Sequence, residues 1–115
     1  TGGVYVSAGN VGGGSVDKIV VGAGSGGAPL VRLFDQNGAM LQSFLAYAST
    51  FTGGVRVATG LTSSTSTSAD IITGPGIGAT PNVRSYNSQG QLAQLNFFAF
   101  SQAFSGGIFV GGRGF

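Results

Sequence analysis

The chain has 115 residues, 42% of them hydrophobic and 7% charged, with 23 glycines, nine Phe, three Tyr and a formal net charge of +2. That is room for one modest domain or about two units of a repeat array, and it is too apolar and too aromatic for a disordered chain. Cysteine, histidine and glutamate are absent and only three Asp remain, which excludes disulfides, thiol chemistry and His/Cys metal sites and leaves few general acids or bases.

Residues 4–8, VYVSA, alternate at a strand period. The loop NVGGGSVD follows Gly9, and KIVV at 18–21 is then a short apolar run of the kind buried on both faces of a sheet. GAGSGGA at 22–28 is too glycine-rich for the interior of a helix or strand and is expected to be a turn. Pro29 opens PLVRLF, which places Val31 and Leu33 on one face and Arg32 and Phe34 on the other. DQNG at 35–38 ends in Asn-Gly, a hairpin signal, and MLQSFLAY at 40–47 returns as a fourth strand.

The same order then recurs as GVRVATG, LTSSTSTSA, DIIT, GPGIGAT, PNVRSY, NSQG and LAQLNFFAF. Gly3 and Gly54 are 51 residues apart, Pro29 and Pro81 are 52 apart, and Phe51 and Phe104 are 53 apart, so the period is about 52. The single insertions fall in the loops at 61–69 and 91–96, where a structural repeat tolerates them. SGGIFV at 105–110 is a third start, a copy of TGGVYV and TGGVRV. No segment carries a helical period of useful length. Four short strands per unit, repeated, predict an all-β chain: two four-stranded antiparallel propeller-like blades and the opening strand of a third. The units are 1–51, 52–104 and 105–115. Glycine density alone also suits a solenoid.

GGVRVATG, DIITGPG, the Pro-x-Val-Arg pieces and the closing NFFAF with its following Ser-Gly-Gly resemble the FG-GAP-like repeats of bacterial surface and secreted proteins. Those repeats are related in architecture to the propeller of integrin alpha subunits, and the resemblance covers essentially the whole chain. It implies a propeller blade whose first loop binds calcium through carboxylates at alternating positions. Carried onto this chain, the ligand positions fall on Asn10, Gly12, Gly14 and Lys18 in the first unit and on Leu61 and Asp70 in the second. An amide, glycines, an ammonium and a lone carboxylate do not make the six to eight oxygens that calcium takes. Both loops are therefore expected to be degenerate, with no cofactor. Lys18 is expected to supply covalently the positive charge that an ion would otherwise bring.

Other constellations have plain structural readings. GAGSGG is followed by Pro29 and a strand, not by the helix a dinucleotide loop requires. Asp17, Asp35 and Asp70 fall on separate loops and are expected to cap turns; they do not form the carboxyl pair of a glycosidase. Arg32, Arg56 and Arg84 lie on strands and are expected to be solvated or to protect edges. The hydroxyl run Thr62, Ser63, Ser64, Thr65, Ser66, Thr67 and Ser68 reads as a polar loop and a candidate for O-glycosylation. Phe44, Tyr47 and Phe51 recur in register with Phe97, Phe98, Phe100 and Phe104, which is expected of core residues.

With no basic stripe, nucleic acid is not an expected partner, and no apolar run reaches the roughly 18 residues of a membrane helix. A chain opening on Thr1 is expected to be processed or a piece of a longer one. Two blades do not close a propeller, which takes about four to eight. The expectation is thus a non-catalytic structural or adhesive protein, extracellular or on the cell surface. It would assemble as a homo-oligomer or homopolymer, or with neighbouring repeats, into a ring, fibre or surface. Ile108, Phe109 and Val110 are its expected assembly residues, as a strand donated to a neighbouring sheet. The alternative is a propeller-type binding module for glycan or protein ligands.

Overall fold

The computed structural model describes residues 2–13, 16–62 and 68–112. Its described residues form two four-stranded antiparallel sheets and no helix. β1 (Gly2–Gly9), β2 (Lys18–Ser25), β3 (Leu30–Phe34) and β4 (Met40–Leu45) pair in chain order in the first. β5 (Val55–Gly60), β6 (Asp70–Pro75), β7 (Asn82–Tyr86) and β8 (Leu92–Phe98) do so in the second. Each sheet is the meander of a propeller blade; the two do not close a ring.

The outer hairpins show how closely the units copy each other. Asp35 Oδ1 accepts from the backbone N of Asn37 and Ala39, both at 2.9 Å. Asn87 Oδ1 accepts in the same way from Gln89 at 2.9 Å and Gln91 at 3.0 Å. An Asx side chain thereby bonds the turn that its own backbone makes. Both outer strand pairs also shift register at matching places, Leu33/Phe34 and Arg84/Tyr86.

Strand alternation sorts each sheet into two faces. On the first sheet, Val20, Gly22, Val31, Leu33 and Phe44 share the face that meets the second sheet. Val4, Val6, Val21, Leu30, Arg32 and Phe34 share the other. Val55, Val57, Ile71 and Tyr86 of the second sheet pack onto the first to form the main core, and Ala58, Ile72 and Val83 look away from it. β5 lies across β1 and β2.

The glycine-rich stretch after KIVV is not the turn expected from composition. β2 continues through it to Ser25, and Gly22 and Gly24 are buried. A β-carbon on Gly22 would lie 2.5 Å from the Val55 carbonyl oxygen and 2.9 Å from Val57 Cγ1. Glycine is here to admit the next unit's inner strand, a requirement that local propensity does not register. Gly74 repeats the arrangement one unit later, where a β-carbon would lie 3.0 Å from Ile108 Cγ1 and Val110 Cγ1.

Residues 107–112 pair in no ladder; they lie on the second sheet as β5 lies on the first. Gly26 N donates to Thr52 O at 2.9 Å and Gly78 N donates to Ser105 O at 2.8 Å, equivalent bonds just ahead of β5 and of the segment at 107–112. Ile108 is buried and Val110 packs beside it over Ala58, Ile72 and Val83. Ile108 and Val110, expected to serve a neighbouring sheet, are thus engaged within the chain, while Phe109 between them is exposed. Substituting Gly22→Val should force β5 off β2 and cost about 3 kcal/mol, the upper range of overpacking, read as a lowered midpoint in thermal or urea denaturation.

Candidate functional site

The contact between the two units is the most fully built region of the molecule. Tyr47, just past β4, reaches across to the second sheet. Its hydroxyl donates to Asn82 O at 2.6 Å and lies 3.1 Å from Thr73 Oγ1. Arg84 lies over the Tyr47 ring at 5.1 Å, donates from Nη1 to Ala46 O at 2.8 Å and from Nε to Asn82 Oδ1 at 2.6 Å. Tyr86 also donates to Ala46 O at 2.6 Å, and its ring meets Phe44 at 4.7 Å between centroids. Burial pushes the Tyr47 phenol well above its ordinary value, only partly offset by the Thr73 hydrogen bond. Arg84 is therefore not the solvated strand residue expected from the sequence: it is half-buried and holds the joint together.

Position by position, the two outer faces of the pair repeat this joint in half. Phe97, Phe100 and Phe104 stand where Phe44, Tyr47 and Phe51 stand one unit earlier, and they are exposed. The expectation that both aromatic sets are core is thus corrected. Phe44 and Tyr47 pack against the core because a second sheet covers them, whereas among the described residues no third sheet covers Phe97, Phe100 and Phe104, and Phe98, which pairs with Asn82 and lies on the opposite face from Phe97, is exposed as well. At the other end, Val4 and Val6 are 63% and 62% exposed, and their counterparts Val55 and Val57 are 0% and 8%. A cavity of about 150 Å³ opens there, lined by Val4, Val21, Ala23, Leu30 and Arg32. Thr73, Pro75, Asn82 and Arg84 are the counterparts of its last four residues. Aligning the two repeats column by column is the signal that would have found this site.

At one end of the inner strands the loops after β1 and β5 meet. Val11 is buried and forms a parallel bridge with Ala69, Ala69 N donates to Asn10 O at 2.9 Å, and Gly12 N donates to Ala69 O at 3.3 Å. Lys18 Nζ donates to Val11 O at 2.8 Å and to Gly13 O at 3.2 Å, so its ammonium gathers the first loop's carbonyls. Asn10 Oδ1 is buried without a hydrogen-bond partner. In the second loop Leu61 is exposed, and Asp70 Oδ2 accepts from Thr62 Oγ1 at 2.7 Å. Among the described residues no three His, Cys, Asp or Glu side chains group together. Gly14 and Ser63, Ser64, Thr65, Ser66 and Thr67 lie outside the described residues; Thr62 and Ser68 are half-buried.

Among the described residues the remaining ionisable groups do not form a second centre. Asp35 closes its hairpin, Asp70 starts β6, and Asp17 lies exposed beside a cleft of about 480 Å³ lined by Ser7, Asn10, Thr59 and Gly112. Arg56 departs from expectation in the same way as Arg84. Its guanidinium sits 3.8 Å from the Phe109 ring centroid and 5.7 Å from that of Tyr5, and Nη1 donates to Ile108 O at 3.1 Å. Tyr5, Arg56 and Phe109 are the same position in the three inner segments, and their side chains gather in one cluster, with the two rings 6.5 Å apart between centroids. Arg32 alone of the three is exposed.

Compared with family models, with known proteins and with solved structures, the chain matches none. Among the described residues no helix is long and apolar enough to cross a membrane.

Replacing Tyr47 by Phe should cost about 1–2 kcal/mol, since the partners on the second sheet lose a buried hydroxyl. The same variant carries a pH signature. Both folded and unfolded Tyr47 keep the proton below about pH 10. Above that the unfolded chain releases a proton that the folded chain retains, so stability falls as pH rises. Denaturant melts between pH 8 and 11 should show this alkaline loss in the wild type and a smaller one in Tyr47→Phe. Lys18→Met, which keeps the apolar stem and removes the donors, should lower stability by about 1–2 kcal/mol in a thermal melt.

Proposed function

We propose that the chain is a non-catalytic structural repeat module of FG-GAP-like, propeller type, whose role is to associate through its blade faces with further copies or further repeats. The observation that carries this reading is an inter-unit contact built in full once, between the two sheets, and in part at each end, where Phe97 and Phe100 of the second sheet and Val4 and Val6 of the first stay exposed. β5 is seated on β2 and the segment at 107–112 on β6, while the matching face of β1 stays bare. Fully burying a valine is worth about 1.5–3 kcal/mol. Val4 and Val6, 63% and 62% exposed, together therefore favour a partner sheet by about 2–4 kcal/mol before any other contact is counted. The absence of His and Glu supports a non-catalytic role, and the low charge with abundant Gly, Ser and Thr supports an extracellular or cell-surface location.

A second reading rests on the aromatic row. Phe97, Phe100 and Phe104 are exposed together, and a glycan- or protein-binding face uses such rings as anchors. The two readings separate in one experiment. Sedimentation equilibrium across about a hundredfold range of concentration should show mass rising from one chain to several. A single-chain mass throughout, with the aromatic row free, would turn the assignment toward binding.

A further inference from the structure

We infer that the open faces at the two ends of the molecule are the two halves of one head-to-tail joint between copies, formed when the first strand of one copy displaces the segment at 107–112 of another. This rests on the self-associating function proposed above and names the surface that would carry it.

The internal joint supplies the template. On one side stand Phe44, Tyr47 and the Ala46 carbonyl; on the other Thr73, Arg84 and Tyr86 receive them. The free halves carry the same positions and change their chemistry in step. Where Tyr47 has become Phe100, losing a hydroxyl, the opposing Thr73 has become Val21, losing the hydroxyl that met it. Where Tyr86 bonds Ala46 O through its phenol, the counterpart Phe34 has none, and Arg32 is left to donate to Ala99 O as Arg84 does to Ala46 O. A ring without a polar tip thus faces a cavity whose wall is Val4, Val21, Ala23 and Leu30, with a guanidinium at its edge. A tyrosine hydroxyl seated there would keep only a backbone acceptor, at Leu30 as at Asn82, and would lose the side-chain partner that Thr73 gives Tyr47. The match therefore favours this end-to-end pairing over a copy of the internal one.

The segment at 107–112 sets the condition for pairing. Ile108 and Val110 occupy on β6 the place that Val55 and Val57 occupy on β2, and Val4 and Val6 are the next residues of the same pattern. Val4 and Val6 come with a complete four-stranded sheet behind them, whereas residues 107–112 pair in no ladder among the described residues. The incoming strand brings the whole Phe97–Phe34 face into contact as it takes the Gly74 site. The segment is accordingly a removable cap on the growing end.

The contact joins different surfaces, so blocking either half should leave the other usable. Val4 and Phe100 are both exposed in the single chain, which lets each be changed to Asp without disturbing the core. Val4→Asp and Phe100→Asp chains should each sediment as single chains at concentrations where the wild type associates. Their equimolar mixture should form a dimer and nothing larger, because one intact half remains on each. Ile108→Asp, which loosens the cap, should move wild-type association to roughly tenfold lower concentration. If the wild type associates but either Asp variant associates equally well, or the mixture stays monomeric, this joint is wrong while self-association stands. Association abolished by Ile108→Asp in a chain that still melts cooperatively would likewise overturn the cap. A wild type that remains a single chain at every concentration would overturn the self-association reading itself, and the joint with it.

Discussion

The structure depends on how closely one inner strand is allowed to approach the sheet before it. At Gly22 and again at Gly74 the second strand of a unit has no side chain on the facing side, and the space is taken by two β-branched residues of the piece that follows, Val55 and Val57 of β5 at the first and Ile108 and Val110 of the segment at 107–112 at the second. A larger residue at Gly22 would meet the Val55 carbonyl and a Val57 methyl closer than side chains approach, and one at Gly74 would press tightly enough on Ile108 and Val110 that they would have to shift. The consequence reaches beyond local packing. Because the glycine is the receptor, the apolar residues that would normally complete a sheet's core are carried by the next unit, and no unit can bury its own face. Stability then becomes a property of neighbours, as in other repeat arrays.

That dependence explains what the amino-acid sequence made legible and what it did not. Strand order, the two hairpins and the alternation of β3 follow from local chemistry. Pro29 and Pro81, the Asx residues at 35 and 87 and the period-2 pattern each act within a few residues of themselves. The glycines at 22 and 24 read as a turn because propensity scores a residue for its own conformation, not for what approaches it. Arg84 and Arg56 read as solvated strand residues for the same reason: their partners, the Ala46 carbonyl and the Ile108 carbonyl, lie 38 and 52 residues away. Register with Phe44 and Tyr47 points Phe97 and Phe100 to the core, and the structure leaves them exposed. Register fixes which face a side chain occupies, whereas burial requires that the face have a neighbour.

The first loop of each unit settles its polar groups in its own way. A loop that bends back between two strands leaves carbonyl oxygens converging on a small volume, and hydrogen-bond donors must satisfy them. Lys18 does so from inside the chain, with its ammonium on Val11 O and Gly13 O. The second loop takes another course, with Thr62 serving Asp70 directly. Two loops at equivalent places thus reach local balance by unrelated side chains, and the bridge from Val11 to Ala69 ties them together regardless. The scaffold tolerates this divergence because the backbone bridge does not depend on the side chains that settle each loop's charge.

The internal joint and the proposed end-to-end one, by contrast, differ in matched positions. Tyr47 faces Thr73, and at the equivalent positions stand Phe100 and Val21. A hydroxyl buried against a methyl is penalised more heavily than a methyl against a methyl is rewarded, so the pairing of chemistries orders the units by exclusion as much as by attraction. Repeats that were identical would join in any order. Repeats whose faces differ in polarity at one shared position can tell the inside of a chain from its ends. A heterologous contact of this kind either closes into a ring or runs on as a filament. With two sheets per chain, a ring of about four to eight blades corresponds to about two to four copies. The same rotation repeated at a mismatched angle gives the filament instead, from the same two faces.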